Sequence, residues 1–212
     1  MTKKIAISQL GVLLYCEYKI YLKQKLKDSD KKVYIPVNPE MITGKLAHAK
    51  LKDAHEERQR QIETLPEELK PKEKISREVS VKGDILKGRM DEIEIGKNYI
   101  RIIDDKSNGA AYEGDQAQAM GYCMAYLQEN DVADNIIVKA ALRNYKTGDI
   151  SWEEEYTQEW EEKLNGYIER YLGILDGSIK AIPTDNPARC SRCNLKKMCT
   201  KKAVEITADI IN

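Results

Sequence analysis

No stretch of these 212 residues approaches the roughly 18 consecutive apolar residues that a membrane helix requires. With 42% hydrophobic and 33% charged residues the chain is not a disordered tail either, so a soluble globular protein is expected. Net charge is also missing, because 35 Lys and Arg balance 35 Asp and Glu, which argues against a protein that is basic all over. Only five cysteines occur, unevenly spaced and too few for a secreted disulfide framework of this length. Internal repeats, low-complexity tracts and long Gly, Pro or Ser linkers are lacking too. The boundaries are therefore those of secondary elements, and residues 1–212 are expected to form a single domain around one core.

The opening Met-Thr-Lys-Lys and the run from Ile5 to Cys16 look superficially like a signal peptide. Ser8 and Gln9 interrupt the run, no small-residue cleavage site follows, and bulky Tyr15 before Cys16 suits lipoprotein processing badly. A cytoplasmic location is expected.

What charge there is lies unevenly. From Lys3 to Lys32 eight Lys or Arg face three acids, and between Arg189 and Lys202 stand Arg189, Arg192, Lys196, Lys197, Lys201 and Lys202 with no acid. Glu153, Glu154, Glu155, Glu159, Glu161 and Glu162 balance the sum elsewhere. Basic segments at both ends could meet phosphates if the ends meet each other; the plainer reading is two solvated faces.

Leu10, Leu13, Leu14, Tyr18, Tyr21 and Leu22 recur at helical spacing after Ser8, a residue able to cap a helix, and Cys16 then falls inside that first helix. A second helix is predicted from about Glu40 to Leu65, stopped by Pro66, with His48 in its first half. A meander of strands at 75–81, 85–95 and 99–105 follows, with turns at Lys82-Gly83-Asp84 and Gly96-Lys97-Asn98. A helix over 114–129, strands over 136–145 and 150–156, and a long helix to about Ile179 complete the order, which describes an α/β fold with a mixed sheet flanked by helices. Pro183, Pro187 and the cysteine segment close the chain as an irregular module.

Ile103-Asp104-Asp105-Lys106 ends a strand. Alternation puts Asp104 and Lys106 on one face, where a carboxylate can hold a metal ion and an ammonium can sit beside an attacking water. A hairpin through Gly96 brings Asp91 beside Asp104, and two like charges that close are best tolerated around a divalent cation. An Asp-x-Lys triplet alone is weak, equally well a polar hairpin end. His48 offers an imidazole suited to a transition metal, though a helical His is more often a hydrogen-bonded structural residue. Gln118 and Tyr122, four apart on one helix face, could position phosphate or water, though an amphipathic core helix explains them equally well. The ordered combination is more telling than any member.

Cys190, Cys193 and Cys199 form a tight group, with Cys16 far upstream. Thiolates at such spacing bind zinc or an iron–sulfur cluster; three clustered ligands and a remote one fit a zinc ribbon, with its two compact pairs, less well. Such a site would tie the first helix to the C-terminal module and bring the two basic ends together. Cys123 reads as a packed thiol.

From Ser8 to Cys199 the chain resembles the CRISPR-associated, RecB-like iron–sulfur exonucleases within the PD-(D/E)xK superfamily. Tyr15-Cys16-Glu17-Tyr18-Lys19, Gly44-x3-His48, Gly88-Arg89-Met90-Asp91, Asp104-x-Lys106, Gln118-x3-Tyr122 and the cysteine triad carry the resemblance, in the family's order. It implies a restriction-endonuclease-like core joined to a clasp formed by 8–24 and 183–204, with a 4Fe-4S cluster on Cys16, Cys190, Cys193 and Cys199. It implies a DNA-end nuclease acting on single strands with Mn2+ or Mg2+, trimming DNA before integration as a CRISPR spacer, with CRISPR integrase proteins as partners. His48, Asp91 and Asp104 would be metal ligands, the Asp105 main-chain carbonyl a further one, and Lys106 would orient or activate water, supported by Gln118 and Tyr122.

Two departures stand out: Asp105 replaces a usually apolar residue, putting a carboxylate on the opposite face, and Glu17-Tyr18 replaces Pro-Arg after the first cysteine. They place the chain off the family centre, with a viral or mobile-element nuclease as the second reading. A cluster-bearing DNA-binding module without catalysis and a zinc-stapled structural protein are the rivals from other classes.

Overall fold

A computed structural model describes residues 4–29, 35, 39–66, 68, 70–107 and 109–203. Lys3, Lys31, Lys32 and residue 204 of the expected clasp lie outside the described residues. The elements are β1 (Ile5–Ala6), α1 (Ser8–Tyr15), α2 (Glu17–Lys27), α3 (Pro39–Glu63), β2 (Lys74–Lys82), β3 (Leu86–Ile95), β4 (Tyr99–Lys106), α4 (Glu113–Glu129), β5 (Ile137–Asn144), β6 (Ile150–Glu155), α5 (Gln158–Asp176) and α6 (Pro187–Ser191). No described helix is long and apolar enough to cross a membrane.

Among the described residues six strands make one mixed sheet. β2, β3 and β4 form the expected antiparallel meander, with Arg77 opposite Glu92 and Glu92 opposite Ile103. α4 then carries the chain over one face, so β5 returns parallel to β4 with Asp104 beside Leu142, and β6 pairs back antiparallel. That face is apolar. Met90, Ile93, Ile102, Met120, Leu142 and Leu164 are buried there with the small residues Ala117, Ala119 and Ala125 of α4, which let the helix lie close to the sheet. α5 ends where Gly177 takes φ +83°, a left-handed cap conformation that costs glycine little. A smaller cluster of Leu13, Ile20 and Ile174 packs α1 and α2 on α5.

The start of the chain departs from the expected single helix. Ile5–Ala6 add a short strand parallel to the beginning of β3, and the Ile7 N–H donates to the Lys87 carbonyl, so the chain turns at Ile7. Ile7, not Ser8, occupies the cap position, with no side-chain capping bond. Cys16 does not lie inside a helix: its backbone is extended, φ −172° and ψ 111°, and separates α1 from α2. The periodicity runs through the break because both helices face α5. The break follows from tertiary contacts. The Glu17 carboxylate accepts from Arg170 and from the Ile182 N–H, and the Tyr18 N–H donates to the Ile182 carbonyl, which draws the chain toward the C-terminal segment. Arg189 completes that junction by donating to the carbonyls of Leu14 and Tyr15, while the Tyr15 hydroxyl donates to the Arg189 carbonyl. The two basic ends therefore lie side by side.

Candidate active site

Beyond the last backbone pair of β3 and β4, the Asp105 N–H donates to Asp91 Oδ2 at 2.8 Å, a carboxylate taking the place of a ladder carbonyl. Asp91 and Asp104 lie close enough across the two strands for each carboxyl to shift the other. His48, from α3, puts Nδ1 3.0 Å from Asp91 Oδ1. Lys106 Nζ lies 2.7 Å from Asp104 Oδ2 and 3.1 Å from Asp115 Oδ1, the latter in the first turn of α4. Four expected site residues, His48, Asp91, Asp104 and Lys106, thus converge.

Tyr122 is buried close enough to feel the charges of Asp104 and Asp91, and Gln118 Nε2 lies 3.5 Å from its hydroxyl. Gly88 of β3 makes room, since a Cβ there would come within 2.7 Å of the Tyr122 ring. The Asp105 side chain does not join the group. It faces the other side of the sheet, its carboxylate fully buried between Arg77 and Arg143, which resolves the difficulty of a buried carboxylate by pairing it.

Sequence reasoning missed two residues. Glu78 of β2 brings a carboxylate oxygen into a group in which the ligand atoms of His48, Glu78 and Asp91 all lie within 4.8 Å of one another. Its φ is +55°, which a non-glycine residue adopts only when its surroundings dictate it. Nothing local marks that conformation. Asp115 could have been suspected from helical spacing, three residues before Gln118 on the same helix.

The electrostatics suit a cation. Burial drives the Asp104 carboxyl up to about 7, reinforced by Asp91 and opposed by Lys106. Burial would also raise Asp91, but the hydrogen bond and charge of His48 leave it lowered. The same hydrogen bond raises His48, against its desolvation. Burial would lower Lys106, yet the charges of Asp104 and Asp115 hold it well above the ordinary lysine value. Asp104 Oδ2 is buried with the Lys106 ammonium 2.7 Å away, and among the described residues no other donor reaches it. The imidazole of His48 and the carboxylates of Glu78 and Asp91, with the Asp104 carboxylate beside them, make a donor set that fits a divalent metal ion.

Away from this site, Cys16, Cys190, Cys193 and Cys199 line one small cavity between the α1–α2 joint and the C-terminal segment. Backbone N–H groups of Thr184, Leu195 and Ala203 point at the sulfurs of Cys16, Cys193 and Cys190, 3.4 to 3.5 Å away. Cys123 is buried in α4, far up in pKa through burial alone in the apolar core.

A strand-end acid and lysine on one face, a second acid on the neighbouring strand and a mixed sheet backed by helices define the core of a metal-dependent nuclease. The chain belongs to the PD-(D/E)XK nuclease superfamily: residues 58–200 match that family. Nucleic acid is the substrate class this implies. The structure is similar to that of SSO0001, with a TM-score of 0.50 at 16% identity over 96% of this chain and 89% of that one. It is also similar to a candidate exonuclease from Eubacterium rectale, with a TM-score of 0.52 at 14% identity over 98% and 92% of the two chains. These likenesses extend the shared fold beyond residues 58–200. No curated protein matches the sequence.

Proposed function

We propose that this chain is a metal-dependent deoxyribonuclease that trims DNA ends, preferentially single strands, as a CRISPR-associated, RecB-like iron–sulfur exonuclease. The observation that carries the nuclease reading is the convergence of His48, Asp91, Asp104 and Lys106, with Glu78, into one group of carboxylates, an imidazole and an ammonium. In this reading His48, Glu78, Asp91 and Asp104 hold Mn2+ or Mg2+, with the Asp105 main-chain carbonyl as a further ligand. The bound cation would supply Lewis acidity and a water nucleophile at neutral pH. Lys106, kept charged by Asp104 and Asp115, orients that water and stabilises developing negative charge; held as an ammonium, it has no lone pair with which to act as a base. Tyr122, kept protonated by burial, presents a donor beside the acids, and Gln118 fixes its hydroxyl.

The iron–sulfur part rests on the four cysteines sharing one cavity and on the N–H groups aimed at three sulfurs, an arrangement that stabilises thiolate charge. A 4Fe-4S cluster bound there would clasp the chain ends. The adjacent Arg189, Lys196 and Lys202 offer a basic surface for the DNA backbone. Integrase partners and spacer trimming follow from the resemblance of motifs from Ser8 to Cys199.

Labelled single-stranded and double-stranded DNA, blocked at either end, incubated with the anaerobically purified protein and Mn2+, tests the proposal. Mononucleotides or short oligomers released from an open single-stranded end are expected. Binding without cleavage in every metal would leave a DNA-binding module, and cleavage of closed circles at an equal rate would remove the end requirement.

A further inference from the structure

We infer that a closed ring of four charged side chains on the reverse of the sheet, Arg77, Glu92, Asp105 and Arg143, is the frame that positions the acids of the metal site. The inference rests on the metal-site reading above. Arg77 pairs with both Glu92 and Asp105, and Arg143 pairs with the same two acids: Nε to Asp105 Oδ1 at 2.7 Å, Nη2 to Asp105 Oδ2 at 3.1 Å, and Nη1 to Glu92 Oε1 at 2.8 Å. Each arginine therefore binds both carboxylates, and the four residues come from four consecutive strands of the sheet, β2, β3, β4 and β5.

Their sequence neighbours matter more than their number. Arg77 precedes Glu78, Glu92 follows Asp91, and Asp105 follows Asp104, so three ring members are each one residue from a carboxylate of the candidate metal site. Adjacent residues in a strand point to opposite faces, which places the ring behind the site. At Asp105 the two layers also touch, because its side chain is locked by the ring while its N–H holds Asp91 Oδ2. At Arg77 the anchored side chain directly precedes the left-handed backbone of Glu78.

Stability alone is a poor reason to bury such a group, since an apolar set of similar volume usually does as well or better. What the ring adds is direction: Arg143 grips each carboxylate with two N–H groups, a bidentate fork that fixes the angle between carboxylate and strand more tightly than apolar packing does, and Arg77 ties the same two acids together with one bond to each. Three site acids that repel one another need such fixing in the absence of a cation.

The test is Mn2+ binding to the full-length, cluster-loaded protein by calorimetry, with thermal unfolding measured alongside. Arg143→Lys keeps the charge and loses the fork; the Mn2+ dissociation constant is expected to rise about 10-fold, the lower end of what supporting residues of metal sites cost, while the melting temperature changes little. The fourfold variant Arg77→Met, Glu92→Leu, Asp105→Leu, Arg143→Met is expected to melt no lower than the parent and to bind Mn2+ about 10- to 100-fold more weakly. Binding within about twofold of the parent in either folded variant overturns the inference. Asp91→Asn is the separate control: if it too binds Mn2+ like the parent, the metal-site reading has failed, whereas its loss of binding beside parent-like ring variants overturns the ring alone.

Discussion

Asp104 and Asp105 are consecutive on β4 and are both buried, yet they belong to opposite worlds: Asp104 meets Asp91 and Lys106 at the candidate metal site, and Asp105 is ion-paired to Arg77 and Arg143 behind it. Their pairing differs as well. Asp105 is held by two arginines that it shares with Glu92, while Asp104 has a single ammonium for partner and is pushed toward the neutral form by burial. A cation is the partner that would complete Asp104.

Replacing Asp104 and Lys106 should therefore separate binding from chemistry. Asp104→Ala is expected to abolish cleavage and weaken Mn2+ binding, whereas Lys106→Ala should bind Mn2+ normally and cleave at least about 100-fold more slowly, the usual cost of a lost charge-stabilising donor. Calorimetry beside single-turnover cleavage distinguishes the two. Parent-like cleavage by both variants would show that the site lies elsewhere.

Glu78 offers a sharper test of the metal site because its backbone is unfavourable for its side chain. Asn tolerates φ near +55° better and carries no charge, so Glu78→Asn removes both strain and repulsion. The metal-free variant should melt no lower than the parent, while the rise in melting temperature that Mn2+ gives the parent should largely disappear. The loss of the pair with Arg89 offsets little, since that arginine is two-thirds exposed. An undiminished Mn2+ effect would remove Glu78 from the ligand set.

How much of this could be read from sequence divides along physical lines. The β2–β3–β4 meander and the convergence of Asp91, Asp104 and Lys106 follow from alternation and a tight hairpin at Gly96, both local properties. His48 required only that its helix pack on the sheet. The break at Cys16 was hidden because the apolar spacing continues through it, and what bends the chain is Glu17 reaching Arg170 and Ile182, over 150 residues away. Glu78 was hidden because its position depends on one positive φ. The ring was hidden: a turn at Lys82-Gly83-Asp84 would set Arg77 opposite Arg89, whereas β2 and β3 pair from Lys82 and Lys87 and so bring Arg77 to Glu92, and Arg143 reaches β4 only through the α4 crossover.

Acidity gives a signed prediction for the metal-free protein. The Asp104 carboxyl, about 4 when unfolded, is raised to about 7 in the fold, so the folded state holds the proton more tightly and stability falls as pH rises from 4 to 7. His48, also raised, contributes stability that is complete below about 6.5 and is lost as pH rises through its folded value, in the same direction. Asp91, lowered, matters only below about 4, where its contribution is lost as pH falls. Thermal melts in chelator should thus show a lower midpoint at pH 8 than at pH 5.5, with a slope of up to about 1.4 kcal/mol per pH unit for each proton. Saturating Mn2+ should flatten the slope, since the cation takes the place of the protons. A slope that persists in Asp104→Asn would assign it to other groups.

The cysteines make a prediction that divides five similar residues into four and one. Cys16, Cys190, Cys193 and Cys199 line a common cavity, and three of them receive backbone N–H groups suited to thiolate sulfur. In the proposed iron–sulfur reading the anaerobically purified protein is brown, and changing any of the four to Ala should bleach it, lower its iron content and loosen the junction between the α1–α2 joint and the C-terminal segment. Cys123 sits in an apolar core that keeps its thiol protonated, so Cys123→Ala should stay brown and cost about 1 kcal/mol, the scale of small core trimming. Because the acids stand on β2, β3 and β4 rather than at the junction, losing the cluster should impair stability and DNA binding before it impairs bond cleavage. Iron and zinc analysis of the five single variants is the measurement. Stoichiometric zinc in a colourless parent would make the site a zinc staple, and a bleached Cys123 variant beside a fully coloured Cys16 variant would overturn the ligand assignment.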